Sequence, residues 1–389
     1  MRQGRIVKTQ YPNILSRVLL SGGFSSQFAF PIVSNTFAAK AFGLVEKLLP
    51  QEGALPEVTA PIFVIGLPRT GSTWLQTLLC SHPDLGYFTQ WMHHFRHTIR
   101  GACAVSDFLK LDAWGERFIG DSVVNSLHGA SEGLAFWGEW FGQDPACLLY
   151  DEFRMEDLDA ATIAEIRSTI SRALAQFPGQ RRFFCKNPGF IPYAPVLAEL
   201  FPDACFIHLV RDPRPTANSM VKLWQRCYSQ LRSIRASGKK MAMNLESFVP
   251  YPRLPRLAEY VDRFGAGNVR TTARLWRDSI LFMGEKGGRL PKLMTVRFES
   301  ILADPVAAVG RILDFCGLKQ FASGDESFRA LCAQTGQVSH VNTYGEFGII
   351  SEVCHQTMDL LGYDPDSQAG GCAPAGRVAA PGDYFGEIL

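Results

Sequence analysis

The 389-residue chain has little excess of charge of either sign: 39 lysines and arginines against 37 aspartates and glutamates leave a formal net charge of +2. No global field holds nucleic acid or an acidic surface, so nucleic acid is excluded as a partner unless a local patch recruits it. Ten cysteines occur, yet there is no C-x-x-C pair and no Cys/His spacing of a zinc site. The thiols sit mostly in apolar runs, as Cys185, Cys205 and Cys316 do, and read as free, buried groups in a reducing compartment. Internal repeats are absent. So is any uninterrupted apolar stretch of the roughly twenty residues that span a bilayer. Arg17 breaks the apolar run that follows the basic Arg2, Arg5 and Lys8. A soluble, cytoplasmic protein without a transmembrane segment is expected.

What is present describes a globular chain, 47% hydrophobic and 20% charged. Residues 1–59 read as an N-terminal helical extension. In it, Ser34 caps a helix whose apolar stripe, Phe37, Ala41, Leu44 and Leu48, is expected to pack on the main domain before Pro50 stops it. Short β-branched runs near 61–65, 182–186, 204–210 and 293–298 read as strands. They alternate with helical patterns over 157–177, 193–201, 270–282, 305–316 and 351–361. Such alternation implies an α/β fold with a central, mostly parallel sheet covered by helices on both faces. This domain runs from 60 to 363, with insertions near 85–150 and 232–262. The first insertion is rich in aromatics and lines an acceptor pocket or fills core. The second, with Arg232, Arg235, Lys239, Lys240, Arg253 and Arg256, is a solvated loop or a basic lid. The Gly/Ala/Pro-rich end, 364–389, reads as a mobile tail.

The sharpest signal lies at the end of the first predicted strand. Gly66-Leu67-Pro68-Arg69-Thr70-Gly71 breaks the apolar run, and a helical pattern resumes at Ser72 with Trp74, Leu75, Leu78 and Leu79. Strand, glycine loop and helix in that order aim backbone N–H groups and a helix N-terminus at one anion. The spacing is that of the nucleotide-triphosphate loop G-x-x-x-x-G-K-[ST], except that Ser72 replaces the lysine and the cation sits inside the loop at Arg69. In parallel sheets ligands bind beyond the C-terminal strand ends. That rule brings together Arg69, then Lys186 with Asn187, and then Arg211 with Ser219 eight residues on. Arginine offers a bidentate fork and serine a hydroxyl, so Arg211 and Ser219 suit a second phosphate. A bis-anionic nucleotide is implied.

The loop Pro68–Trp74, the segment Cys185–Phe190, the run Phe201–Ser219 and the run Val296–Leu318 together resemble sulfotransferases that use 3′-phosphoadenosine 5′-phosphosulfate (PAPS), in the bacterial-type branch of the P-loop sulfotransferases. The resemblance implies a P-loop-like three-layer fold and PAPS as co-substrate, with no metal. Arg69, Thr70, Gly71, Ser72, Thr73 and Trp74 would bind the 5′-phosphosulfate, and Arg211 and Ser219 the 3′-phosphate. Lys186 would face the bridging oxygen where leaving-group charge develops, aided by Arg69. The sulfuryl group would pass in line to a hydroxyl or amine of a small-molecule, lipid or glycan acceptor.

An acceptor hydroxyl needs a general base, and here the chain departs from familiar members. The histidine two residues after the lysine is Pro188, and the stretch where other branches carry a glutamate, 86–94, has no carboxylate. His93, His94 and Glu132 are the candidates. The Arg-Lys-Gly motif that clamps the nucleotide in cytosolic animal enzymes is missing too, leaving 232–256 or 340–344 to cover it. Two other readings stay open: a nucleotide kinase or NTPase on a degenerate loop, with Asp212 as magnesium ligand, and an inactive nucleotide-binding scaffold.

Overall fold

Ile62–Ile65 forms β1, buried on both faces. Further strands are β2 (Leu85–Gly86), β3 (Trp114–Glu116), β4 (Val124–Ser126), β5 (Arg182–Lys186), β6 (Cys205–Val210), β7 (Leu293–Arg297) and β8 (Glu387–Ile388). The computed structural model describes residues 9–20, 36–50, 53–117, 123–144, 146–179, 181–236, 248–322, 324–333, 342, 345–366 and 387–388. Outside these fall Arg2, Arg5, Lys8, Ser34, Lys239, Lys240, His340, Val341, Thr343 and Tyr344, together with most of 364–389.

Six strands make one parallel sheet in the order β2-β5-β1-β6-β7-β8. β1 sits between β5 and β6, which are its neighbours in space but far away in sequence. Side chains alternate between two cores, as a pleated strand buried on both faces requires. Phe63, Ile65, Phe206 and Val210 face one cluster, and Ile62, Val64, Ile207 and Leu209 the other. The helices Ala160–Leu174, Pro213–Ala236 and Val269–Lys286 cover the first; Ser72–Cys80 and Pro305–Cys316 cover the second. The three-layer arrangement expected from the alternation is the one observed.

Three features depart from the sequence reading or add to it. The 85–150 insertion folds into the helices Gln90–His94, Ile99–Leu109 and Leu134–Trp140 and a β3–β4 hairpin. Its aromatics are chiefly core: Phe88 stacks on Phe136 at 4.1 Å, and Trp137 meets Phe63 and Phe190 edge-on. Within the segment read as a tail, Glu387–Ile388 pairs with β7. The expectation for the N-terminal helix is corrected. Thr36–Leu48 packs through Ala38, Ala39 and Phe42, while Phe37, Leu44 and Leu48 face solvent. Small alanines let this helix lie close on Ile99–Leu109, where a Cβ at Gly101 would collide with the Phe42 carbonyl oxygen. The bulky stripe is thereby turned outward.

Candidate active site

The glycine loop owes its shape to two close approaches. Gly66 (φ +147°) leaves β1 against β6, and a Cβ there would run into the Leu209 carbonyl. Gly71 (φ +92°) opens the Ser72–Cys80 helix, and a Cβ there would strike the Phe298 ring. Arg69 is also left-handed, at φ +75°, a conformation that costs a non-glycine residue roughly 1–2 kcal/mol. Thr70 donates its hydroxyl to the Leu67 carbonyl at 2.9 Å, which pins the turn from inside. No side chain caps the helix at Gly71; the Trp74 and Leu75 N–H groups turn back to the Gly71 carbonyl, and those of Ser72 and Thr73 keep their capacity for an anion. Trp74 stands edge-on to Phe298, ring centroids 6.1 Å apart.

Beside the loop lies a cationic cleft of about 220 Å³ lined by Arg69, Ser219, Lys222, Leu223 and Arg226. Arg69 Nε donates to Ser219 Oγ at 2.9 Å. Arg211, just past β6, donates from Nη1 to the Arg69 carbonyl at 3.3 Å and lies over the Phe298 ring at 5.0 Å. Burial draws its pKa down, against the nearby Glu299, which raises it. Lys222 and Arg226 were not found from the sequence. Their spacing of three and seven residues from Ser219 on one helix face was the available signal. Asp212 is held elsewhere: its carboxylate pairs with buried Arg214 at 2.6 Å and accepts the Arg214 N–H. That engagement removes the acidic magnesium ligand on which the kinase reading depended.

On the other side of β1, Lys186 ends β5 opposite Val64 in register. Its ammonium is buried and donates to the Glu132 carboxylate. The two neighbours of Lys186 hold the same residue: Asn187 Nδ2 donates to the Glu132 carbonyl at 3.2 Å, and Cys185 Sγ at 3.7 Å. Glu132 precedes Gly133 (φ +67°), the N-cap of Leu134–Trp140. Pro188, where a histidine was sought, starts a 3-10 turn from Pro188 to Tyr193, its missing N–H harmless at that position.

The histidines are placed differently. His93 Nδ1 lies 3.1 Å from Ser131 Oγ, next to Glu132 in sequence. Burial, with Arg96 nearby, pushes its pKa down to about 4. His94 is pushed to about 3 by burial and by His93. Of the three base candidates, Glu132 is the one in contact with Lys186. A second cavity, of about 320 Å³, lies along the same Leu134–Trp140 helix between Phe136, Trp140, Arg96, Glu139 and Glu165. In the described part of the basic insertion, Arg253 donates to the carbonyls of Cys147, Val249 and Tyr251, and Arg256 pairs with Glu259. Among the described residues no group of three or more His, Cys, Asp or Glu side chains could hold a metal ion, and no helix is long and apolar enough to cross a membrane.

Residues 61–249 match the sulfotransferase family. The chain is 26% identical over 324 residues to the omega-hydroxy-beta-dihydromenaquinone-9 sulfotransferase Stf3 of Mycobacterium tuberculosis, covering 78% of this chain and 75% of that one. The Stf3 protein of Mycobacterium bovis matches to the same extent. Among solved structures, the sulfotransferase STF9 of Mycobacterium avium superimposes with a TM-score of 0.51 at 19% identity, over 84% of this chain and 81% of that one. This likeness is one of fold.

Proposed function

From the match of residues 61–249 to the sulfotransferase family and the likeness to the Stf3 sulfotransferases, we propose that the chain is a sulfotransferase that moves the sulfuryl group of PAPS to the hydroxyl of an acceptor. Arg69, Ser72, Thr73 and the loop N–H groups hold the 5′-phosphosulfate, with Trp74 beside them. Arg211 and Ser219 take the 3′-phosphate, and Lys222 and Arg226 add positive potential at the same cleft. Lys186 meets the bridging oxygen and neutralises it as the S–O bond breaks and adenosine 3′,5′-bisphosphate leaves. Glu132 accepts the proton that the acceptor hydroxyl gives up as its oxygen bonds to sulfur.

The observation that carries this reading is the contact between the Lys186 ammonium and the Glu132 carboxylate one strand away from the glycine loop. An in-line transfer needs a base on the entering side of the sulfur and a cation on the leaving side, and Glu132 and Lys186 supply both within one sulfuryl group's reach of each other. His93, kept neutral and turned to Ser131, is a positioning residue for the Ser131–Gly133 turn. A hydroxylated acceptor is also what the mycobacterial Stf3 relative, an omega-hydroxy-beta-dihydromenaquinone-9 sulfotransferase, is named for.

Titration calorimetry tests the donor. Adenosine 3′,5′-bisphosphate is expected to bind without metal, and magnesium-dependent ATP binding in its place would overturn the reading. Transfer of labelled sulfate to a panel of hydroxylated lipids and phenols tests the chemistry. Glu132→Gln is expected to retain bisphosphate binding while losing transfer.

A further inference from the structure

The N-terminal helices and the helix Ile99–Leu109 on which Thr36–Leu48 packs leave a set of large apolar side chains in solvent. Ile14 (82% exposed) and Val18 (68%) project from the helix Ile14–Leu20, Phe37 (82%), Leu44 (63%) and Leu48 (85%) from Thr36–Leu48, and Phe108 (85%) from Ile99–Leu109. Isolated apolar side chains are ordinary on a surface, but a grouped set marks an interaction face. The three helices are tied together. Asn13 donates to the Lys110 carbonyl at 3.0 Å, Ser16 Oγ accepts the Asp112 N–H at 3.1 Å, and Glu46 accepts the Gly101 N–H at 3.4 Å.

The second helix has two apolar faces with different roles. Ala38, Ala39 and Phe42 meet the core, where Phe42 packs edge-on to Phe95 at 4.7 Å. Phe37, Leu44 and Leu48, spaced by seven and four residues, form a separate stripe on the far side. Lys40 and Lys47 flank that stripe on one edge, and Arg17 and Lys110 lie exposed on the adjoining helix and turn. Among the described residues no carboxylate pairs with these four cations. Glu46 is engaged with Gly101, and Asp107 is exposed beside Phe108.

We propose that this face docks on an anionic lipid bilayer, with the Phe37–Leu44–Leu48 stripe lying in the interface and the flanking lysines and arginine reaching the headgroups. A protein partner of the usual kind would need an apolar patch with a polar rim of mixed sign. Here the rim is mainly cationic, which matches a uniformly negative planar surface. Long basic side chains at the edge of an apolar stripe have the geometry for it, since their stems lie along the apolar zone while their charges stay wet. The inference rests on the surface alone and stands independently of the transfer chemistry.

The test is co-sedimentation of the full chain with vesicles of phosphatidylcholine alone and with about 30% phosphatidylglycerol, a composition that makes the surface strongly anionic. Binding to the anionic vesicles is expected to exceed binding to the neutral ones by roughly tenfold and to weaken with added salt. The triple variant Phe37→Ser, Leu44→Ser, Leu48→Ser is expected to lose roughly tenfold or more of that binding, with its circular dichroism spectrum unchanged because all three side chains lie outside the core. The pair Lys40→Gln, Lys47→Gln is expected to lose only the preference for anionic lipid. Failure of the native chain to bind either vesicle would overturn the proposal, as would undiminished binding by the triple variant. A vesicle-free dimer, seen by light scattering and abolished in the triple variant, would identify the occupant as a second copy and would overturn it too.

Discussion

Lys186 is a buried cation whose stability depends on one carboxylate. Removing either partner of such a pair leaves an uncompensated charge or acceptor, which typically costs about 3–5 kcal/mol. Glu132→Gln keeps an acceptor for the ammonium and is therefore the informative variant. It is expected to fold, to bind adenosine 3′,5′-bisphosphate within about twofold of the native chain, and to lose turnover by roughly 10²–10⁴, the usual worth of a general base. Lys186→Met is expected to lower kcat more than donor affinity; a change in affinity alone would remove it from the leaving-group position. At the other phosphate, Arg211→Ala is expected to weaken bisphosphate binding by about 1.5–3 kcal/mol, the value of a charged hydrogen bond. Lys222 and Arg226 are exposed, so their removal is expected to act through the screened field and to reduce the salt dependence of binding in the same calorimetric titration.

The acid limb of stability is also a matter of single residues. His208 lies inside β6, fully buried, and burial lowers its pKa to about 4. An unfolded histidine titrates near 6.5. Between these values the unfolded chain binds a proton that the folded chain refuses, so stability is complete above about pH 6.5 and falls as pH drops toward 4. His93 adds a slope in the same window. His208→Leu is expected to flatten this limb, read as urea midpoints measured across pH 4 to 7.

At the scale of elements, the strands of the sheet were legible because each is a β-branched or aromatic run bounded by a breaker, and burial on both faces demands that composition. β2 and β8 have two residues each, too few for any period to register. The phosphate loop could be read because its glycines are imposed by contacts that tolerate nothing larger. Glu132 was harder to place. It reaches Lys186 through the fold, 54 residues apart, so the segment Ala130–Gly133 offers it only as one candidate beside His93 and His94. The Thr36–Leu48 helix was misoriented for a definite reason: bulk was taken as the sign of burial, whereas alanines and the gap at Gly101 decide which face seats closely. Gly101→Leu is accordingly expected to push this helix off Ile99–Leu109 and to destabilise the protein by about 1–3 kcal/mol, seen as a lower melting temperature.

For the whole molecule, the C-terminal part of the domain secures the floor of the site. Tyr363 donates to Glu299 at 2.9 Å, Glu299 accepts the Asp212 N–H at 3.0 Å, and Arg214 reaches the Asp364 carbonyl at 3.0 Å. Burial raises the Glu299 pKa, and the Tyr363 hydroxyl is one of the groups that hold it back. Tyr363→Phe is expected to loosen this network and, through Arg211, to weaken bisphosphate binding several-fold while leaving the loop's own turn intact. The outcome is read by calorimetry beside the Arg211 variant.

The hydrogen bond between Arg69 and Ser219 joins residues 150 positions apart. A ribosome adding about 5–20 residues per second therefore releases the glycine loop roughly 8–30 s before the serine it bonds to has been made. For most of that interval, until Arg182–Lys186 and then Cys205–Val210 have been made, β1 lacks its flanking strands, and its apolar edges must be shielded by something other than the finished sheet. The newborn chain thus passes through a stage in which its most recognisable stretch is its least protected one, and a chaperone that favours apolar strands would meet it there.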